Sequence, residues 1–231
     1  MRSVQEEFSK HAKKYNSHNI IQQIISKALV RELNSEPKRI LELGCGSGQV
    51  FKNIDFDFDY YKAIDFSQQM CEIHPKHPSL KIECLDFDTQ EFHQNIKNEK
   101  YDLVLSSSAL QWSNDLAKII QTLSRISPNI QMVLFTSNTF KTIFELSDTK
   151  SPILDLKQIK KSFDTFYKCQ YEVLNYKIEF DNKKELFQYI KNSGVSGDEK
   201  PLSFKKAKKL YKNYNLGYLE FEVVFIKGQK C

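Results

Sequence analysis

Three glycines at alternate positions, Gly44, Gly46 and Gly48, close a short apolar run in the stretch "RILELGCGSGQV" (Arg39 to Val50), and an acid, Glu42, sits inside that run. A glycine turn lets a ligand approach the backbone, because no Cβ intervenes. At the carboxyl edge of an open parallel sheet, such a turn forms the usual ligand crevice. The dinucleotide fingerprint G-x-G-x-x-G places its third glycine five residues after the first. Here the spacing is four, which disfavours a nicotinamide or flavin cofactor. Taken alone, the motif also fits a tight turn with no ligand.

Other acids stand at matching places. Asp65 follows Gly44 by 21 residues, where a carboxylate can accept both hydroxyls of a ribose. It could equally cap the helix that begins in "DFSQQM". Asp86 closes a further apolar run in "CLDFD", and the next run ends in the polar triplet Ser106 to Ser108. Acids at the ends of consecutive strands face one crevice, so they are more informative together than singly. His74 and His77, in "HPKHP", are each followed by proline, which disfavours a helical two-histidine metal site. The segment is expected to be a loop, and no metal site is expected. The five scattered cysteines contain no C-x-x-C pair and are expected to be reduced thiols of a cytoplasmic protein.

Apolar periodicity supplies the elements that must hold these residues. A helix is predicted from Ser17 to Leu33, ended by Pro37. Strands follow at Arg39 to Leu43, "YYKAID", "KIECLD", "YDLVLSSS" and "NIQMVLFTS", with helices at "SQQMCEI" and "NDLAKIIQTLSRI". Alternating strands and helices imply a parallel sheet with crossover helices. Beyond Asn138, helices are predicted at Thr139 to Leu146, Leu156 to Tyr167 and Lys183 to Lys191. The strands "QYEVLNYKIEF" and "YLEFEVVFIK" are expected to add an antiparallel edge, making seven strands.

Composition bounds the answer. The chain has 231 residues, 40% of them hydrophobic and 27% charged, which suits one globular domain. No apolar run approaches the ~20 residues of a membrane span, and the N-terminus lacks the apolar centre of a secretory signal. From Lys141 onward 18 lysines face 12 acids; that excess of +6 exceeds the whole net charge of +5, leaving the rest at −1. This is either a solvated lysine-rich surface or a docking face for an acidic macromolecule.

With these residues in view, the chain resembles the class I S-adenosylmethionine-dependent methyltransferases, whose first motif is an acid followed by G-x-G-x-G, as in "ELGCGSG". The resemblance implies a Rossmann-like α/β fold with a mostly parallel seven-stranded sheet and helices on both faces. It also implies an N-terminal helical cap over 1–36, a cofactor-binding core over 37–138, and substrate-side helices and strands over 139–231. The cofactor is expected to be S-adenosylmethionine. Gly44, Cys45 and Gly46 would lie against its methionine portion, with Glu42 at the ammonium group. Asp65 would hold the ribose, Phe66 would pack on adenine, and Asp86 and Phe87 would meet the adenine edge, with Ser106 alongside.

The segments "EFSKHAKKYNSHNIIQQ", "SSSALQW", "NTFKTIFEL", "IKNSGVSG" and "GYLEFEVVFIKG" further resemble the malonyl-[acyl-carrier protein] O-methyltransferases of biotin synthesis. Departures are Ser107, where that family has asparagine, and "SPNIQ" in place of Pro-Gly-Gly. The resemblance implies methylation of a malonyl carboxylate, with Tyr15, Gln111 and Trp112 positioning the acceptor and an acidic carrier protein docking on the lysine-rich C-terminal part. An acceptor carboxylate is already ionised at neutral pH, so no general base is required. Another small acid such as trans-aconitate is the alternative, followed by RNA or a non-catalytic cofactor-binding role. Neither a membrane nor a nucleic-acid partner is expected.

Overall fold

A computed structural model describes residues 19–193 and 204–231. Tyr15, Phe8 and Ala12 lie outside the described residues. Helix α1 (Ile20–Arg31) precedes β1 (Arg39–Leu43). Then come β2 (Tyr60–Asp65), α2 (Gln68–Ile73), β3 (Leu80–Cys84), α3 (Gln90–Ile96), β4 (Leu103–Ser107), α4 (Leu116–Ile126) and β5 (Asn129–Phe135). The chain continues through α5 (Lys141–Ser147), α6 (Leu156–Asp164), β6 (Tyr167–Glu179), α7 (Lys183–Ser193), α8 (Phe204–Asn213) and β7 (Tyr218–Lys230).

The seven strands form one sheet in the order β3-β2-β1-β4-β5-β7-β6. The first five are parallel, β7 runs antiparallel to β5, and β6 antiparallel to β7. This is the mostly parallel α/β sheet with an antiparallel edge that the strand pattern predicts. Chain order reverses at β1, which pairs with β2 on one side and β4 on the other. The crevice beyond the carboxyl ends of β1 and β4 is therefore the switch point where such sheets take ligands.

Both faces are covered, so Ile40 to Leu43 are all buried despite the acid among them. One face packs Ile25 and Leu29 of α1, Ile143 of α5, Leu186 of α7 and Leu210 of α8 against Ile40, Leu105 and Val133. The other packs Phe92 of α3, Ile119 and Leu123 of α4, and Ile159 of α6 against Leu41, Val104 and Met132. Side-chain caps fix several helix starts. Ser67, Thr89 and Asp115 each accept from the backbone N–H three residues on, and Asp155 with Gln158 closes a capping box. Gln131 donates to the carbonyl of Leu29 (2.8 Å), satisfying one of the orphan acceptors at the end of α1.

The structure corrects several predicted boundaries. The helix predicted through Tyr167 ends three residues early: Thr165 and Phe166 form a turn, and Tyr167 opens β6. A single 3-10 turn, Phe51–Asn53, follows the glycine loop. Helices α3 and α8 were not predicted.

Candidate active site

The glycine loop is held by its own backbone. The amides of Gly44 and Cys45 both donate to the carbonyl of Ile64 (2.8 and 3.0 Å), that of Gly46 to Asp65 Oδ2 (2.8 Å), and that of Gly48 to Cys45 (2.9 Å). A pyrophosphate cradle needs amides aimed outward at the ligand. Here four of them turn inward, a second reason beyond spacing to set dinucleotides aside. All three glycines have positive φ. They nonetheless do different work. A Cβ on Gly44 would meet the Cβ of Ala109 at 2.0 Å, whereas a Cβ on Gly46 would meet nothing within 4 Å. Gly44 thus lets the β1 and β4 loops close on each other, and Gly46 leaves space open.

That space is a cleft whose walls include Gly46, Asp65, Phe66, Met70, Phe87 and Trp112, with Ser107, Ser108 and Ala109 from the end of β4. Asp65 is buried, and its other oxygen accepts from the amide of Ser67 (2.9 Å). Burial pushes its carboxyl up to about 6, against the pull of the Ser67 and Gly46 amides. The cap of α2 is Ser67, not Asp65. Phe66, Phe87 and Met70 supply an apolar wall beside one carboxylate, a set that fits a flat purine joined to a diol.

Other expected site residues are placed elsewhere. Glu42 does not line the cleft: it is 1% exposed, and its Oε2 accepts the Tyr61 hydroxyl at 2.7 Å. Burial drives its carboxyl up to about 8, opposed by the Tyr61 bond and assisted by the charge of Asp65. Cys45 is buried outside the cleft, its thiol pushed well up by burial. Asp86 lies two residues beyond β3, where its carboxylate accepts the Asp88 amide (2.9 Å) in a turn. Of that pair, Phe87 is the residue that lines the cleft. Ser106 is fully buried and its hydroxyl donates to the carbonyl of Leu43 (2.9 Å), tying β4 to β1. Gln111 is also buried, donating from Nε2 to the carbonyl of Ser108 (2.8 Å). Lys141 is exposed beside Glu145.

Four lining residues were given no site role from the sequence: Met70, Ser107, Ser108 and Ala109. Ser108 stands out. Its φ is +59°, its amide donates to Val133 (2.8 Å), its carbonyl is held by Gln111, and its buried Oγ has no partner. A non-glycine residue in this region stores strain that the surroundings must enforce. The polar run "SSS" was the only signal for it. Among the described residues, no group of three or more His, Cys, Asp or Glu side chains could hold a metal ion, and no helix is long and apolar enough to cross a membrane.

The sheet order, the switch-point cleft and the inward-turned glycine loop define a class I methyltransferase fold. Residues 41–128 match a family described as "Methyltransferase domain". Solved structures of similar fold include the YcgJ protein from Bacillus subtilis, with a TM-score of 0.65 at 12% identity over 90% of this chain and 98% of that one. Another is the plantazolicin methyltransferase BpumL in complex with SAH, with a TM-score of 0.51 at 14% identity over 97% of this chain and 89% of that one. Together these matches and the fold support an S-adenosylmethionine-dependent methyltransferase. It is similar to malonyl-[acyl-carrier protein] O-methyltransferase 2 of Ilyobacter polytropus, 27% identical over 94% of this chain and 90% of the relative. Seven further malonyl-[acyl-carrier protein] O-methyltransferases match at 22–28% identity, and the matches span 52–77% of those relatives' own length, under two thirds in six of the seven.

Proposed function

We propose that this methyltransferase esterifies the free carboxylate of a small acyl acceptor, a malonyl group on acyl-carrier protein in early biotin synthesis. The observation that carries this reading is chemical. Asp65 is the one titratable side chain among the described residues lining the cleft, and both its oxygens already accept backbone amides. An acceptor that had to lose a proton during transfer would call for a base within reach. A carboxylate arrives ionised at neutral pH and requires none. The similarity to the Ilyobacter protein, running along nearly the whole chain, points to malonyl as the acyl group.

When bound, S-adenosylmethionine supplies an electrophilic sulfonium methyl. The chain's part is to bind, orient and keep water out. Asp65 is assigned the ribose hydroxyls, Phe66 and Phe87 the adenine faces, and the open side of Gly46 the methionine portion. Ser108, just beyond β4, and Trp112, in the 3-10 turn Leu110–Trp112 that follows, are assigned to the acceptor's side, and Gln111 holds Ser108 in place. Residues 139–231 are assigned to acceptor recognition, and the first 36 residues to a cap bearing Tyr15.

Incubation with labelled S-adenosylmethionine and malonyl-carrier protein, followed by mass measurement of the acyl group, tests the reading. A gain of one methylene that an esterase removes is the expected result. Label appearing on trans-aconitate but not on the malonyl group would replace the acceptor. Label on neither acid would overturn the carboxylate assignment.

A further inference from the structure

Two cysteines that the methyl-transfer chemistry does not use meet the successive carbonyls of Asp65 and Phe66. Cys71, on α2, points its Sγ at the carbonyl of Asp65 (3.6 Å) and stands 4.0 Å from the carbonyl of Glu83. Cys84 is the last residue of β3 and the register partner of Asp65 in the parallel β2–β3 pair; its Sγ meets the carbonyl of Phe66 (3.5 Å). Cys71 Sγ thus stands between the carbonyl of Asp65 and that of Glu83, the residue immediately before Cys84. Cys84 is exposed and Cys71 is buried behind it. Phe66, and Met70 one residue before Cys71, both line the cofactor cleft.

We propose that Cys71 and Cys84 form a reversible disulfide that governs cofactor binding. The oxidant is a low-molecular-weight disulfide. The exposed Cys84 thiolate attacks one of its sulfurs, forming a mixed disulfide and releasing one small thiol. The Cys71 thiolate then attacks Cys84 Sγ and expels the second. Two protein thiols and one small disulfide thus become one protein disulfide and two small thiols, with the two electrons carried away by the latter. Burial raises both thiols, Cys71 to about 12, with the Asp65 carboxylate adding to it. Resting reactivity at neutral pH is accordingly low, as suits a pair that closes only under sustained oxidation.

Closure has a local consequence. A disulfide sets its sulfurs about 2.05 Å apart, far closer than two thiols in contact. It also removes the S–H donors that the Asp65 and Phe66 carbonyls now receive. Helix α2 must move toward the tip of β3, carrying Met70 and displacing the peptide that presents Asp65 and Phe66 to the cleft.

The test uses the full-length protein and does not depend on the acceptor. Reduced protein is incubated with oxidised glutathione and alkylated, its peptides are mapped by mass, and its affinity for S-adenosylhomocysteine is measured by calorimetry. The expected result is a Cys71–Cys84 linked peptide lighter by two hydrogens, with affinity at least tenfold weaker and restored by dithiothreitol. Cys84→Ser should keep the affinity of the reduced protein and lose all response to the oxidant. A glutathione adduct that stays on Cys84, a linked protein that binds as tightly as the reduced one, or a Cys84→Ser variant that still responds would each overturn the proposal.

Discussion

Tyr61 donates its phenolic hydrogen to Glu42 across 2.7 Å, one strand to the next, with both side chains buried beside the glycine loop. The acid in the opening motif is therefore paired inside the protein with a neutral donor. That arrangement tolerates the carboxyl best in its protonated form, because burial outweighs the single hydrogen bond.

A pH dependence follows from that pair. Glu42 has a folded-state pKa of about 8 against an ordinary 4.5. The stability this contributes is present in full below pH 4.5 and is lost as pH rises through 8, since the unfolded chain ionises first. Denaturation of the cofactor-free protein should show stability falling by about a few kcal/mol across that window. Glu42→Gln should remove the loss above pH 6, leaving the smaller slope due to Asp65, whose pKa is near 6. Tyr61→Phe should carry the loss to higher pH, because the phenol lowers the acid's pKa. An unchanged slope in Glu42→Gln would contradict the assignment.

The loop glycines should separate stability from affinity. Gly44→Ala places a methyl 2.0 Å from Ala109 and should destabilise the fold by about 1–3 kcal/mol, read as a lower denaturation midpoint. Gly46→Ala meets no protein atom and should lose only about 1–2 kcal/mol, from its positive φ. It should nevertheless weaken S-adenosylhomocysteine binding tenfold or more in calorimetry, because its methyl enters the cleft. Equal affinity in wild type and Gly46→Ala would remove this face from the site.

Asp65→Asn tests the ribose assignment. The variant keeps one oxygen for the Gly46 or Ser67 amide but loses the charge that would strengthen bonds from two hydroxyls. Hydrogen bonds to charged groups contribute about 1.5–3 kcal/mol each, so affinity should fall roughly 10- to 100-fold. Circular dichroism should show the fold retained. A loss below threefold would move the ribose elsewhere.

Much of this architecture was legible because the sheet's inner strands are covered on both sides. Their apolar runs, and the glycines that end the first, survive any change of surface. Helix α3 escaped notice because only Phe92 and Ile96 mark its buried side, and lysines at 205, 206, 208, 209 and 212 hid α8. At the site, strand ends were legible but the direction each residue takes there was not, because Ser108 leaves the strand with a left-handed backbone. Ser106, Ser107 and Ser108 are indistinguishable in sequence, yet the first is spent on Leu43 and the other two reach the cleft. Asp86 likewise followed the rule that strand ends carry ligands, but β3 ends at Cys84 and the acid closes a turn.

Ser108 should show opposite effects on stability and turnover. Its left-handed backbone and unpartnered buried hydroxyl both cost the cofactor-free fold. Ser108→Gly relieves both and should raise stability by about 1 kcal/mol. If the hydroxyl serves the acceptor, the same change should lower kcat/KM by tenfold or more while cofactor affinity holds. A variant that is more stable and fully active would show the strain to be incidental.

The lysines of α8 bear on how an acceptor is delivered. Lys205, Lys206, Lys208 and Lys209 are all exposed, and the helix carries no acid. It packs on α5, the helix that follows β5 and so stands at the sheet edge holding the cleft. A carrier protein rich in acids would be steered by this row, an effect that falls on encounter more than on chemistry and weakens with salt. Reversing the four charges to glutamate should lower kcat/KM for malonyl-carrier protein at least tenfold at low ionic strength. Malonyl-coenzyme A, which needs no docking face, should lose less than twofold. Equal losses on the two substrates, or a carrier rate indifferent to salt in the wild type, would remove α8 from the docking surface.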